Sequence, residues 1–420
     1  MMLYFPLAFF LFLFFIIRKR NGFDVSACIT LMYLTTAFFG AILGSYDYEF
    51  KYGNYSKVEI GLLPTLFYCI AIGSCIYPFY RYNSNKSREL KKIKNTLFFD
   101  IIVYVYIGTF VVLLLIFWQD ILFRIAFGDM DTLRQMQYEG QLPNALDRGN
   151  GLVRVIGGLL TVIGDGAYFM IPFFFYSICK LNKSGFYNFM LLLSSISPVL
   201  LGFINIDRSK TAFWILLFIL SLVIFRPYIV TKKQKRFLRT MILSVVGLLF
   251  FYLAVVTISR FGERDEGTTG GLLCYIGQPF INFCSVWDNI PYDHFFTTRI
   301  FPISSYFLSG GTGTDEIVDL VESTLLTTGV HINVFFSYLG MLLVDTGHFG
   351  VLFISVFIYI VTFKVLEIFR PKKEQSLASI IAIFALATIL QCGIVTYFYT
   401  TVGRALSFCF FIWYTNRFFK

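Results

Sequence analysis

Apolar runs of about 20 residues recur along the whole chain, and polar residues are gathered in the connectors between them. A helix needs about 20 predominantly apolar residues to cross a bilayer. The runs predict eleven such helices, at roughly 2–17, 25–43, 60–80, 97–118, 157–178, 186–206, 211–230, 240–258, 335–368, 376–396 and 404–418. The first is followed by Arg18, Lys19 and Arg20 with no charged segment ahead of it, so it reads as a span and not as a cleaved leader. Two connectors stand out by length, 119–151 after the fourth run and 259–334 after the eighth. Connectors of that size within a compact domain are commonly functional. The expected fold is all-α, one polytopic membrane domain over residues 1–420 with a large loop between spans eight and nine.

Composition agrees. Hydrophobic residues make up 57% and charged residues 14% of the chain, whereas a soluble domain carries about a quarter charged residues. The formal net charge of +10 has a topological reading. Basic clusters fall at every second connector: Arg18 to Arg20, Arg81 to Lys94, Lys180 with Lys183, Arg226 to Arg239, Lys364 to Lys373, and Arg417 with Lys420. Short loops rich in Lys and Arg stay in the cytoplasm. This places the carboxyl terminus inside, the amino terminus outside and both long connectors outside, and it removes the case for a nucleic-acid partner. No internal repeat is visible, which speaks against a transporter built from duplicated halves. Cys274 and Cys284 fall in the 259–334 connector, where an oxidising compartment permits a disulfide; whether they pair is open. The remaining cysteines lie in or beside spans and read as packing residues.

Several arginines stand where the positive-inside pattern does not want them: Arg154, Arg208, Arg260 and Arg404 where spans meet outer connectors, and Arg299 inside the longest one. Guanidinium forks bind phosphate oxygens bidentately and keep their charge when partly desolvated. As a set they suit a lipid-linked phosphate or pyrophosphate; singly, each can equally pair with an outer acid. Asp165, in TVIGDGAYFM, is an ionisable group at membrane depth, either a functional acid or the partner of an interior arginine. Asp129 and Asp131 form a D-x-D of the kind that can hold a divalent metal, a pattern that also recurs by chance. His294, His331 and His348 all lie in or beside the long late connector, where a histidine can take a proton from an attacking hydroxyl.

Two stretches carry a resemblance. One is DRSKTAFWILLFILSLVIF from Asp207, with an arginine opening a span. The other is INVFFSYLGMLLVDTGHFG, with Asn333, then Asp345, Gly347 and Gly350 in a D-x-G-x-x-G arrangement running into a long span. Together with one large late outer loop, they resemble the O-antigen polymerases, the Wzy-type oligosaccharide repeat-unit polymerases of bacterial surface polysaccharide synthesis. The likeness covers the whole chain as architecture and about 60 residues as motif. Related O-antigen ligases have a His-Asn pair closely followed by G-x-x-G; here His331 and Asn333 are separated by Ile332 and the glycines come later. Arg260 and Arg299 each have a glycine eleven residues on, Gly271 and Gly310, similar to a pattern in some family members.

The resemblance implies a fold similar to the class C membrane glycosyltransferases and a metal-independent transferase without a cofactor. It would work at the outer face of the bacterial cytoplasmic membrane on undecaprenyl-pyrophosphate-linked oligosaccharide, beside a flippase and a chain-length regulator. Arg208, Arg260 and Arg299, then Arg154 and Arg404, are the expected pyrophosphate contacts. His331 or Asp345, then Glu263 and His294, are the expected bases, with Asn333 and Asp165 as further polar site residues. A flippase or exporter of lipid-linked glycans, a ligase, and a non-catalytic scaffold are the competing readings.

Overall fold

The computed structural model describes residues 2–47, 54–85, 89–127, 132, 133, 136, 151–261, 267–290, 335–369 and 374–419. Their helices are α1 (Phe5–Asn21), α2 (Val25–Gly44), α3 (Leu62–Tyr82), α4 (Leu97–Ile116), α5 (Trp118–Phe127), α6 (Gly151–Asp165), α7 (Met170–Tyr176), α8 (Gly185–Ser194), α9 (Ser197–Ile204), α10 (Ser209–Phe225), α11 (Lys232–Met241), α12 (Gly247–Phe261), α13 (Gly267–Asn289), α14 (Tyr338–Ile368), α15 (Leu377–Cys392) and α16 (Val402–Phe418). Two residues of β1 (Glu89–Leu90) pair in parallel with β2 (Glu374–Gln375).

Among the described residues, eight helical stretches are long and apolar enough to cross a membrane: Met2–Asn21, Val25–Gly44, Leu62–Tyr82, Leu97–Ile116, Gly185–Ile204, Ser209–Tyr228, Lys232–Ile258 and Tyr338–Ile368. A ninth arises if Val153–Asp165 and Ala167–Leu181, bent by 43° at Gly166, count as one. The last two runs expected to span, α15 and α16, are helices of 16 and 17 residues. Every apolar run is thus helical, in the architecture of an all-α polytopic membrane protein. Large apolar side chains stand exposed on these helices, among them Phe12, Phe15, Leu115, Phe251, Phe353 and Phe357. Exposed apolar faces of this extent suit hydrocarbon and not water.

The chain divides into two compact units: residues 1–86, 269–371 and 385–402 form the first, and residues 87–268, 372–384 and 403–420 the second. In the first unit, α1, α2 and α3 pack together and α13 joins them. Gly40 and Gly277 bring α2 and α13 to backbone contact: a Cβ on Gly277 would stand 2.7 Å from the Phe39 carbonyl oxygen. Tyr68 of α3 meets Phe280 and Phe283 of α13 at centroid distances of 5.1 and 5.3 Å. The turn between α1 and α2 is tied by Asp24, which caps α2 through the Ala27 N–H at 2.9 Å and accepts from Ser26 and Asn21. Burial pushes its carboxyl above the usual carboxylate range against those hydrogen bonds.

Within the 259–334 stretch expected as a large outer loop, residues 267–289 form a helix, α13. Its Gly-rich start and its Gly277-Gln278-Pro279 sequence carry loop signals, yet residues 267–289 make a helix that tolerates Pro279 inside it. Gly277 serves close packing there. Cys274 and Cys284 lie ten residues apart on this one helix, a rise of about 15 Å. Bridged cysteines need Cα atoms within about 7 Å, so these two do not bridge each other.

In the second unit, α10 spans between two polar clusters. At its carboxyl end, Tyr228 donates to Gln375 Oε1 at 2.5 Å, beside the β1–β2 pairing, and Lys183 binds Asp100 at 2.9 Å. At its amino end lies a cationic cluster. Seventeen residues of helix separate the two ends of α10 by about 25 Å. Between them the fill is aromatic, with Trp214 stacked on Phe218 and donating to Ser195 Oγ at 3.0 Å.

Candidate functional site: a carboxylate-bridged cation pair

Asp165 is the last residue of α6, immediately before the bend at Gly166. Asp165 is only 5% exposed, and a lone buried carboxylate at the negative end of a helix would be costly. Two cations from different helices meet it. Lys210 Nζ stands 3.0 Å from Oδ1 and Arg404 Nε donates to Oδ2 at 3.3 Å. Arg404 is itself buried, with its guanidinium 6.0 Å from the Phe213 ring centroid.

Glycines make this convergence possible. A Cβ on Gly403 would stand 2.5 Å from the Val162 carbonyl oxygen, and one on Gly166 would overlap the Ser407 side chain. Helices α6 and α16 therefore touch backbone to backbone, which puts Arg404 within reach of Asp165. Lys210 is fixed from the other side, where the Tyr168 hydroxyl donates to its carbonyl at 3.1 Å.

The turn that delivers Lys210 is strained. Helix α9 ends with Asp207 N–H bound to the Gly202 carbonyl at 2.7 Å and Ile206 N–H bound to that of Phe203 at 3.3 Å. This is the Schellman pattern, which places the residue at its αL position at positive φ, ordinarily glycine. Here that residue is Ile206, at φ 52°, a conformation costing a β-branched residue on the order of 1–3 kcal/mol. Gly202 permits the close return, since a Cβ on it would meet the Asp207 carbonyl at 2.7 Å. Asp207 then accepts from the Ser209 N–H and hydroxyl at 2.9 and 2.6 Å. Arg208 opens α10 and its Nη1 reaches Thr257 Oγ1 of α12 at 3.4 Å. Arg208 and Lys210 thus add their charge to the positive end of the α10 dipole, a placement that favours an anion nearby.

Of the expected site residues, the structure gathers three here. Asp165, Arg404 and Arg208 belong to this region. Arg154 is on an exposed face of α6, eleven residues before Asp165 and so about 16 Å away along the axis. Arg260 occupies the turn of α12 after Thr257, and only its backbone is described. Glu263, His294, Arg299, His331 and Asn333, with Asp129 and Asp131, lie outside the described residues. Lys210 is the residue the sequence reading passed over. Its signal was present, two positions after Arg208 in DRSK, but a lysine at a span boundary looks like an ordinary anchor. Arg124 was also missed; it is 2% exposed on α5, with Nη1 donating to the Asp120 carbonyl at 3.2 Å.

In the first unit the D-x-G-x-x-G stretch breaks helix α14. Gly347 has φ 65° and ψ −173°, a region open essentially to glycine alone. A Cβ on Gly350 would overlap Thr346, so both glycines answer to backbone geometry. Asp345 is wholly buried in the last turn before the break. His348 follows the break; its Nε2 lies 2.8 Å from the Trp287 carbonyl oxygen, and its ring meets the indole edge-on at 4.6 Å. A carbonyl only accepts, so Nε2 carries a proton.

Comparison of the chain with protein-family models, with curated proteins and with solved structures returned no match.

Proposed function

We propose that this protein is a glycosyltransferase that polymerises lipid-linked oligosaccharide repeat units into a bacterial surface polysaccharide at the outer face of the cytoplasmic membrane. Its amino terminus lies outside and its carboxyl terminus inside. In the reaction, a hydroxyl of the terminal sugar on an incoming unit attacks the anomeric carbon of the chain held on undecaprenyl pyrophosphate. The new glycosidic C–O bond forms as the bond to pyrophosphate breaks. The lipid pyrophosphate leaves with the electron pair, and the hydroxyl proton passes to a base. His331 and Asp345, then Glu263 and His294, are the candidates for that base, with Asn333 as a polar neighbour.

The observation that carries this reading is the cationic cluster at the start of α10, where Lys210 and Arg404 share one carboxylate and Arg208 stands on the same turn. Pyrophosphate is a good leaving group whose departure needs stabilisation of developing negative charge, which fixed cations supply best in a water-poor setting. Arg260, Arg299 and Arg154 are the further candidate contacts. The sequence resemblance to the repeat-unit polymerases supplies the glycan class.

An exporter of lipid-linked glycans is the second reading. It draws on the broken helices at Gly166 and Gly347, because discontinuous helices recur at transporter ligand sites. Deleting the gene and analysing lipid-linked and surface glycan separates the two. A polymerase defect leaves single repeat units displayed outside, an export defect leaves them trapped inside, and a ligase defect leaves polymer unattached. Display of normal-length polymer after deletion excludes the polymerase.

A further inference from the structure

We infer that Asp165 is a positioning residue, which clamps Lys210 and Arg404 into one preformed anion-binding unit, and that Lys210 is a direct contact of the pyrophosphate group. The inference rests on the reading that this region receives pyrophosphate. Three observations carry it. Asp165 binds cations from two helices at once, at 3.0 and 3.3 Å, from a position 5% exposed. Asp165 and Asp207, whose charge also reaches Arg404, face Lys210, Arg404 and Arg208, which leaves one net positive charge, so Asp165 orients its two cations without cancelling the cluster. The surrounding backbone is built around this contact: Gly166 and Gly403 close α16 onto α6, and Ile206 is held at φ 52° to return the chain toward Lys210.

Two long cationic side chains placed near each other without Asp165 would repel and spread over many rotamers. Binding an anion would then require ordering them first, which lowers affinity. Removing Asp165 thus has opposite consequences under two accounts. If the carboxylate only opposes the ligand's charge, its loss strengthens anion binding; if it positions the cations, its loss weakens it.

The test is calorimetric titration of inorganic pyrophosphate into the purified full-length chain at low ionic strength, with thermal unfolding measured in parallel. Asp165→Asn is expected to bind roughly tenfold more weakly than wild type although a negative charge has been removed, in keeping with loss of a charge-assisted contact. Lys210→Met is expected to lose a similar factor, and the double variant little more than either alone. Equal or tighter binding by Asp165→Asn, or fully additive losses in the double variant, overturns the inference and leaves the pyrophosphate reading standing. Absence of binding by the wild-type chain overturns that reading and the inference together. Should Asp165→Asn fail to fold, Asp165→Glu takes its place: it keeps the charge and shifts it by one methylene. Weaker binding supports the clamp, and unchanged affinity overturns it.

Discussion

Gly403 stands so close to Asp165 that a Cβ added to it would lie 3.1 Å from the Asp165 Cβ and 2.5 Å from the Val162 carbonyl oxygen. The ion pair between Asp165 and the next residue, Arg404, depends on that missing side chain. Gly403→Ala is predicted to push α16 away from α6, at a cost of about 1–3 kcal/mol as for other overpacked contacts. Gly108, with nothing within 4 Å of its added Cβ, supplies the control. Thermal unfolding in detergent should show Gly403→Ala clearly destabilised and Gly108→Ala unchanged or slightly improved.

Gly347 gives a second backbone prediction. Gly347→Ala forces φ 65°, ψ −173° on a residue with a Cβ, costing on the order of 1–3 kcal/mol or straightening α14 at the break. Straightening moves His348 away from the Trp287 carbonyl, while strain borne in place shows as lost stability. Unfolding measurements together with Trp287 fluorescence check this, since the imidazole packs against the indole. An unchanged spectrum and unchanged stability would contradict the assigned break.

Both glycines show how far the sequence could be read. The helices were readable because apolar runs of bilayer length have one outcome in a membrane, and each expected run is helical. Helix α13 was not predicted, because Gly277 and Pro279 imitate a loop; Gly277 serves close packing in the first unit, and the helix tolerates Pro279. The D-x-G-x-x-G stretch was noticed as a motif, but its physical content, a helix broken at Gly347, depends on φ and ψ values that no residue pattern states. Asp165 was a candidate from its membrane depth and Arg404 from its place at a span end. Their pairing, and the entry of Lys210, depend on a helix contact between residues 239 positions apart in one case and on a strained turn at Ile206 in the other.

Asp24 makes a prediction about pH. It caps α2 from a fully buried position, and burial holds its carboxyl above the usual range. A carboxyl raised in the folded state binds its proton more tightly folded than unfolded. Its contribution to stability therefore grows as pH falls through the raised value and levels off below the ordinary carboxylate value. Asp24→Ala should cost about 1–2 kcal/mol near neutrality through the lost cap. The gap between wild type and Asp24→Ala should widen as pH is lowered from neutral; a gap that narrows contradicts the assignment.

Lys210 separates site from scaffold. Lys210→Met leaves Arg404 on Asp165 and keeps most of the unbranched side chain, so unfolding should shift by no more than about 1–2 kcal/mol on loss of one arm of the pair. Polysaccharide chain length should nonetheless collapse toward single repeat units on a gel when this variant replaces the wild type in cells. A normal ladder at normal protein level would place Lys210 outside the site.

Polymerisation of lipid-linked units can be watched in a reconstituted system. The purified chain in lipid nanodiscs is given repeat units extracted from cells lacking the gene, and the products are separated by length in the presence and absence of a chelator. The account predicts a ladder of longer lipid-linked glycans with matching release of lipid pyrophosphate, undiminished by chelation and lost in Arg404→Ala and Lys210→Met. Single units left unchanged by a folded, pyrophosphate-binding wild-type protein would contradict it.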